Sequence, residues 1–116
     1  MSSGRGVIKM AEQTGIERIA AERKRQIDSE GWTPDHDDKY LMGELPVAGM
    51  CYALFASWQM QGFPRVDHGP PYQWPWAIGW WKPSPDPIRN LEKAGALIAA
   101  EIDRLERAKR MEQGND

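Results

Sequence analysis

Three segments of the chain carry apolar residues at the three- and four-residue spacing of an α-helix. The first starts at Thr14 and ends near Gly31. Its opening residues Thr14-Gly15-Ile16-Glu17 have the form of a capping box, in which Thr14 and Glu17 satisfy each other's free backbone N–H groups. The apolar face is thin, which predicts an outer helix of a bundle with one buried stripe. That stripe consists of Ile16, Ile19, Ala20, Arg23 and Ile27.

The second segment, residues 43–61, is apolar on nearly every face and predicts the central, most buried helix. Pro46 falls within its first turn, where a proline is tolerated because no intrahelical hydrogen bond is lost. The apolar residues are Leu45, Val47, Ala48, Met50, Cys51, Tyr52, Leu54, Phe55 and Trp58.

The third segment predicts a last helix with Asp86 as N-cap and Pro87 at the first helical position. We expect Gly95 to allow close packing against the second helix, and the charged residues 109–116 to fray as a tail. The predicted buried stripe is Leu91, Gly95, Ile98, Ile102 and Leu105.

Residues 62–85, which we call the aromatic loop, interrupt this pattern. Repeated proline and glycine forbid a regular helix there, whereas the aromatic content is too high for a disordered linker. A loop of this length inside a small domain is usually functional, and we expect it to cover the helices. The prediction is a mainly α fold, residues 14–108, with three helices, one long structured Trp/Pro-rich loop and room for a short strand pair. Residues 1–13 have the composition of a disordered leader.

Composition narrows the classes of function. The 116 residues suffice for one domain, and a formal net charge of −2 gives no basic surface for nucleic acid. The single cysteine, Cys51, excludes an intrachain disulfide, fits a reducing cytoplasm and should be a buried small apolar residue. No apolar run approaches the roughly 20 residues of a membrane span, and no signal peptide is evident. We therefore expect a cytoplasmic protein without a membrane partner.

Residues 30–38, which we call the acidic turn, combine one tryptophan, one proline, one histidine and three aspartates. Trp32 is expected to anchor the end of the first helix in the core. Asp35, Asp37 and Asp38 are more typical of caps and turns than of metal ligands, so no metal or cofactor is predicted. His36 and His68 should be exposed, since neither has a second histidine at ligand spacing.

Four tryptophans of the aromatic loop cannot all belong to the core of so small a protein. They are Trp74, Trp76, Trp80 and Trp81. Exposed aromatic clusters are normally interfaces or ligand platforms. The apolar second helix and this loop also offer more apolar surface than three helices can cover, which predicts a homodimer or larger homo-oligomer.

Several strings together resemble a family of small uncharacterised phage and prophage proteins. They are Glu30-Gly31-Trp32-Thr33-Pro34-Asp35-His36-Asp37-Asp38, Gly43-Glu44-Leu45, Trp74-Pro75-Trp76, Trp80-Trp81-Lys82-Pro83 and the residues from Lys93 to Ile102. The resemblance covers residues 16–107. It implies a phage-encoded protein acting in the host cytoplasm, and no particular activity.

The chain is also distantly similar to the ryanodine-receptor repeat domain. The shared order is a charged helix, the pair Gly31-Trp32, the pair Asp37-Asp38 and then a further helix. This RyR-like order implies a helical domain.

We expect non-catalytic binding of a nucleotide-like small molecule, in which tryptophans stack a base, cations attract a phosphate and aspartates accept ribose hydroxyls. In a phage context this would be an anti-defence protein that sequesters a host cyclic-nucleotide signal. The site should lie between the acidic turn and the aromatic loop, near the start of the last helix. The predicted ligand-binding residues are Trp32, Asp37, Asp38, Trp74, Trp76, Trp80, Trp81, Lys82 and Arg89.

Two other classes of function remain open. One is an adaptor that blocks a host protein through the aromatic loop. The other is a metal-dependent nucleotide hydrolase, which is disfavoured because Glu101 and Asp103 are two residues apart and lie on different helix faces. The sequence also lacks a Ser-His-Asp set and a glycine-rich phosphate loop, so no catalytic residue is predicted.

Overall fold

The computed structural model describes residues 12–62 and 69–114, which form four α-helices and one short 3-10 helix. The elements are α1 (Gly15–Glu30), α2 (Pro34–Asp37), α3 (Glu44–Met60), the 3-10 helix η1 (Ile78–Trp80) and α4 (Pro87–Gly114). The mainly α prediction is confirmed, and the described residues contain no strand. Most of the expected leader, His68 and part of the aromatic loop lie outside the described residues.

Both ends of α1 follow from local chemistry. The Thr14 hydroxyl accepts a hydrogen bond from the Glu17 backbone N–H, and the Glu17 carboxylate accepts one from the Thr14 backbone N–H at 2.8 Å, which confirms the capping box. Gly31 ends the helix with φ of 74°, a left-handed angle that favours glycine.

The acidic turn contains a one-turn helix, α2, that the apolar pattern could not predict. The Thr33 hydroxyl caps it by accepting from the His36 backbone N–H, and Pro34 supplies a preset helical φ at its first position. This turn directs the chain from α1 towards α3.

The core forms where α3 packs on α4. A Cβ added to Gly49 would lie 3.0 Å from the Ala94 carbonyl oxygen, so glycine lets the two backbones approach closely at this crossing. The prediction that the second helix is the central one is confirmed, as is burial of Cys51. The buried core residues are Leu45, Ala48, Cys51, Tyr52, Phe55, Trp81, Ala94, Leu97 and Ala100.

Gly95 packs against a different helix from the one predicted. A Cβ added to Gly95 would lie 2.5 Å from Cδ1 of Ile19, so this glycine makes room for α1 rather than for α3. The close approach to α3 is made by Gly49 instead. A glycine in a sequence marks a close contact but does not say which partner makes it.

The predicted apolar stripe of α4 is not its buried face. Leu91, Ile98, Ile102 and Leu105 are each between 42% and 57% exposed. The buried positions include Asn90, Glu101 and Arg104, together with small alanines. Burial of these polar groups is possible because they pair: the Glu101 carboxylate accepts two hydrogen bonds from Arg104, at 2.7 and 3.0 Å.

On α1 the predicted stripe is partly buried, since Ile19, Arg23 and Ile27 are half-buried. Ile16 of the predicted stripe is exposed, whereas Glu22 and Gln26 are buried. At the other end of the chain, α4 continues to Gly114, past the point near Ala108 where we expected fraying. No helix within the described ranges is both long and apolar enough to span a membrane.

Candidate functional site

Trp81 belongs to the hydrophobic core. Its ring lies against those of Tyr52, Phe55 and Trp74, with centroid distances of 4.6, 5.6 and 5.0 Å. Trp74 is partly buried in the same cluster and donates its indole N–H to the Ala77 carbonyl oxygen. These two tryptophans attach the aromatic loop to α3.

Trp80, the neighbour of Trp81, is on the opposite side of the loop and is 57% exposed. The separation arises in η1, where the backbone N–H of Trp80 donates to Ala77 and that of Trp81 to Ile78. This tight turn sends consecutive side chains in different directions.

An aromatic cleft of about 700 Å³ lies between the acidic turn and the described part of the aromatic loop. Its size suits a drug-sized molecule. One wall is formed by residues of the acidic turn and those just after it, and the other by residues of the aromatic loop about 40 positions later in the chain. The lining residues are Glu30, Trp32, His36, Lys39, Tyr40, Leu45, Pro75, Trp76, Ala77 and Trp80.

The acidic-turn side of the cleft is built from stacked rings. Trp32 and His36 are parallel within 7°, with centroids 6.0 Å apart, and Tyr40 packs edge-on against His36. Tyr40 also contacts Trp76, at 5.1 Å, and so joins the two walls. His36 is partly buried rather than exposed as predicted, because this stack covers it. The prediction that Trp32 packs against the core is confirmed.

The aspartates of the acidic turn are engaged by arginines. Asp37 is 1% exposed and accepts a hydrogen bond of 2.7 Å from Arg23, while its other oxygen lies 3.0 Å from Nδ1 of His36. Asp38 is paired with Arg107 of α4, also at 2.7 Å. These contacts give both carboxylates a role in fixing the turn, and neither residue lines the cleft.

A small recess of about 40 Å³, which we call the basic recess, adjoins the cleft, and Glu30, Trp32 and Trp80 line both. Three cationic side chains line it, namely Arg25, Lys82 and Lys93. The carboxylates of Glu22 and Glu30 line it as well, and both are paired with Arg25. Gln26, which is fully buried, also lines it, and its Oε1 has no hydrogen-bond partner among the described residues. Because Arg25 is held by these two glutamates, Lys82 and Lys93 supply the remaining positive charge of the recess, and Gln26 supplies an unused acceptor.

Lys93 is one of the residues that line this recess. Its Nζ donates to the Lys82 carbonyl oxygen at 2.6 Å and lies 5.6 Å from the centroid of the Tyr52 ring. Burial lowers the pKa of Lys93, and the nearby positive charge of Arg89 lowers it further. An anion at this position would relieve that like-charge repulsion.

Arg89, in contrast, is already neutralised. It is paired with both Glu22 and Glu92, and it lines a separate shallow depression with Arg18 rather than the cleft. Burial alone would raise the pKa of Glu22, but hydrogen bonds from Arg25 and Arg89 outweigh it and hold that pKa below its ordinary value of 4.5.

The structure thus brings four of the nine predicted site residues to the cleft or recess: Trp32, Trp76, Trp80 and Lys82. Trp74 and Trp81 support the loop, and Asp37, Asp38 and Arg89 are held in ion pairs. Sequence reasoning did not include Glu30, His36, Lys39, Tyr40 or Lys93. Tyr40 and Lys39 follow the acidic turn directly, and Lys93 is one helical turn from Arg89, so the spacing could have suggested them.

Within residues 12–62 and 69–114, no three His, Cys, Asp or Glu side chains are grouped so that they could hold a metal ion. No protein-family model, curated protein or solved structure matches this chain.

Proposed function

We propose that this protein binds a nucleotide-like small molecule, without catalysis, in the aromatic cleft and basic recess. The observation that carries the proposal is the joining of the two: a cleft walled by Trp32, Trp76 and Trp80 opens beside a recess lined by Lys82 and Lys93. A planar base and an anionic group, joined in one molecule, match this pair of environments.

The base occupies the cleft. Every base presents a π-face, and base–aromatic stacking contributes about 1–3 kcal/mol per base in comparable proteins. Trp80 is the most exposed of the aromatic side chains that line the cleft, so it is the stacking surface that a base reaches first. The Glu30 carboxylate and the His36 ring also line the cleft, where they can meet amino and ring-nitrogen groups.

The phosphate occupies the basic recess. Lys82 and Lys93 supply the positive charge, because Arg25 and Arg89 are each held by two glutamates. The unpartnered Oε1 of Gln26 can accept from a ligand hydroxyl or amino group at the same position. This assignment replaces Arg89 by Lys93 as the principal anion-binding residue.

Sequestration of a host cyclic-nucleotide defence signal is the biological role that this site supports best. The resemblance to phage and prophage proteins supplies the context. A protein that only sequesters needs affinity and no catalytic groups, which fits the absence of a catalytic motif from the sequence.

Calorimetric titration tests the proposal with cyclic and linear adenine and guanine nucleotides. Ribose phosphate serves as a control, because it carries the anion without the base. We expect saturable heat from at least one nucleotide and none from ribose phosphate at equal concentration. A flat response across the whole panel, or turnover of a bound nucleotide on adding Mg²⁺, would overturn it.

A protein-binding adaptor is the second candidate, and the exposure of Tyr72 and Ile78 favours it. Both lie on the aromatic loop, and neither lines the cleft or the recess. An adaptor would lose a host partner on Ile78→Asp substitution and would give no heat with any nucleotide. The nucleotide proposal requires Ile78→Asp to leave nucleotide affinity unchanged.

A further inference from the structure

Gln26 of α1 leaves half of its side-chain amide unpaired. The residue is 1% exposed, and its Nε2 donates to the Glu22 carboxylate at 3.1 Å. Gln26 also lines the basic recess, and its Oε1 has no hydrogen-bond partner among the described residues. A buried acceptor without a partner is unfavourable, so this oxygen marks a position that a hydrogen-bond donor is expected to fill.

The orientation of this amide is fixed by its surroundings. A carboxylate only accepts hydrogen bonds, so exchanging the amide oxygen and nitrogen would set an oxygen against the Glu22 carboxylate. That carboxylate is itself held by Arg25 and Arg89. The backbone of Gln26 is fixed as well, because its carbonyl oxygen accepts from the Trp32 backbone N–H at 3.0 Å. Gln26 is therefore a preorganised acceptor next to a residue of the aromatic cleft.

The same recess presents two cations to a phosphate. The Lys93 ammonium donates to the Lys82 carbonyl oxygen at 2.6 Å and has further N–H groups to offer. The Lys82 Nζ lies 5.8 Å from the centroid of the Trp80 ring, which places it beside the proposed stacking surface. The recess of about 40 Å³ has room for about three water-sized groups. Two phosphate oxygens and one hydroxyl fill that space, and a whole sugar does not fit.

The small volume decides which donor of a nucleotide can reach Gln26 while the phosphate meets the lysines. On a ribose, the 2′-hydroxyl is on the carbon next to the one that bears a 3′-phosphate. A 5′-phosphate is attached at the other end of the sugar, and the amino groups of the base are further from either phosphate. The 2′-hydroxyl beside a 3′-phosphate therefore suits a recess of this size best.

We propose that Gln26 accepts a hydrogen bond from the free 2′-hydroxyl of a ribonucleotide whose 3′-oxygen carries the phosphate, as in a 3′,5′-cyclic nucleotide. The inference rests on the proposed function, because it uses the same phosphate position at Lys82 and Lys93. The base is attached to the carbon next to the one that bears this hydroxyl, so it leaves the recess towards Trp80, which lines both spaces. A ligand without the hydroxyl leaves a buried acceptor unpaired, which makes Gln26 a specificity-determining residue.

Gln26 thereby takes the role that sequence reasoning assigned to Asp37 and Asp38. Those two carboxylates are held by Arg23 and Arg107, and neither residue lines the cleft or the recess. The ribose acceptor is an amide rather than a carboxylate, so it adds no negative charge beside the phosphate.

Calorimetric titration of the full chain tests the inference with adenosine and guanosine 3′,5′-cyclic monophosphates and their 2′-deoxy analogues. For a base that gives heat, we expect the ribose form to bind about tenfold more tightly than the 2′-deoxy form. The difference is no larger because the recess admits a water in place of the missing hydroxyl. The 2′,3′-cyclic monophosphate, whose esterified 2′-oxygen has no proton to donate, should bind no better than the 2′-deoxy form.

Gln26→Met separates contact with the ligand from a structural role. The substitution keeps a long side chain and removes the acceptor. The preference for the ribose form should disappear in this variant, whereas a purely structural role would weaken both ligands and keep their ratio. Gln61→Met, at the exposed end of α3, is the matched control and should keep the preference. Helical circular dichroism equal to that of the wild type shows that Gln26→Met is folded.

The outcomes distinguish this inference from the proposed function. Equal affinity of the wild-type protein for the ribose and 2′-deoxy forms overturns the inference alone, and so does a preference that persists in Gln26→Met. Tighter binding of a 5′-monophosphate than of the 3′,5′-cyclic form has the same consequence. A flat response to every nucleotide overturns the proposed function and this inference together. If Gln26→Met does not fold, the comparison of ligands on the wild-type protein decides.

Discussion

Trp80 and Trp81 are neighbours in the chain but belong to different regions of the molecule. Trp81 is 9% exposed and packs among the rings of the core, whereas Trp80 is 57% exposed and lines both the aromatic cleft and the basic recess. The comparison shows that aromatic content alone does not distinguish residues that hold a loop in place from residues that a ligand can reach. The tight turn of η1 makes the distinction.

The charged residues divide in the same way. Arg89 and Lys93 are four residues apart on α4, yet Arg89 is paired with two glutamates. Among the described residues Lys93 contacts a carbonyl oxygen and a ring and has no ion pair. Trp81 and Arg89 therefore stabilise the fold, whereas Trp80 and Lys93 are available to a ligand. The predictions that follow test this division, from the largest expected effect to the smallest.

Trp81→Ala should reduce the free energy of unfolding by about 3–5 kcal/mol, because it leaves a cavity between Tyr52 and Phe55. Chemical denaturation measures the loss. Trp81→Phe is the sharper companion, since it keeps a buried ring and removes an indole N–H that has no partner among the described residues. Trp81→Phe should reduce the free energy of unfolding far less than Trp81→Ala does. A Trp81→Ala protein of wild-type stability would contradict the assignment of Trp81 to the core.

Glu22→Gln should cost about 2 kcal/mol of stability at neutral pH, because Arg25 and Arg89 lose a buried partner. The figure is below that for a fully buried pair, since both arginines are about one-third exposed and partly screened by water. Lys24→Gln, which breaks an exposed pair with Asp28, is the control and should change stability little.

The pH dependence of the Glu22→Gln effect follows from the lowered pKa of Glu22. Its folded pKa is below the unfolded value near 4.5, so its contribution is complete above that pH and is lost as the pH falls through the folded pKa. The stability difference between wild type and Glu22→Gln should therefore shrink below about pH 4.5. A difference that grows on acidification would show that Glu22 is not stabilised as a carboxylate.

Trp80→Ala should weaken the binding of a nucleotide that gives heat in the titration by about tenfold, or roughly 1.4 kcal/mol, by removing one stacking face. Its stability should remain within about 0.5 kcal/mol of the wild type, because the ring is mostly in solvent. If Trp80→Ala instead loses stability and retains affinity, the two tryptophans have been assigned the wrong way round.

Lys93→Met should weaken nucleotide binding a few-fold, with a smaller salt dependence, because it removes one charge from the basic recess and keeps the length of the side chain. Arg89→Met is the matched control on the same helix and should lower stability rather than affinity. If Lys93→Met and Arg89→Met lose the same affinity, the proposal that Lys93 binds the anion and Arg89 does not is wrong.

Local chemistry was sufficient to predict both ends of α1 and the start of α4. The capping box at Thr14, the left-handed Gly31 and the Asp86-Pro87 start each act within one turn, so the sequence contains all the groups involved. The central position of α3 was also predictable, since a helix without a polar face has to be buried.

The buried faces of α1 and α4 were not predictable from apolar periodicity. Glu22 is buried because Arg89, 67 residues later, reaches it, and such a pair depends on how the helices cross. The exposed apolar residues of α4, Leu91, Ile98, Ile102 and Leu105, were mistaken for its buried face for the same reason. Sequence reasoning predicted a site between the acidic turn and the aromatic loop, where the aromatic cleft lies. It could not distinguish the exposed Trp80 from the buried Trp81, because the η1 turn separates them.

Nuclear magnetic resonance of the tryptophan indoles tests the central claim most directly. The six tryptophans give six indole N–H signals, which single Trp→Phe variants assign. On titration with a nucleotide we predict that the signals of Trp32, Trp76 and Trp80 shift and show contacts to base protons, while that of Trp58, outside the cleft, stays in place. No movement of any of these signals with any nucleotide at millimolar concentration would contradict the proposed site.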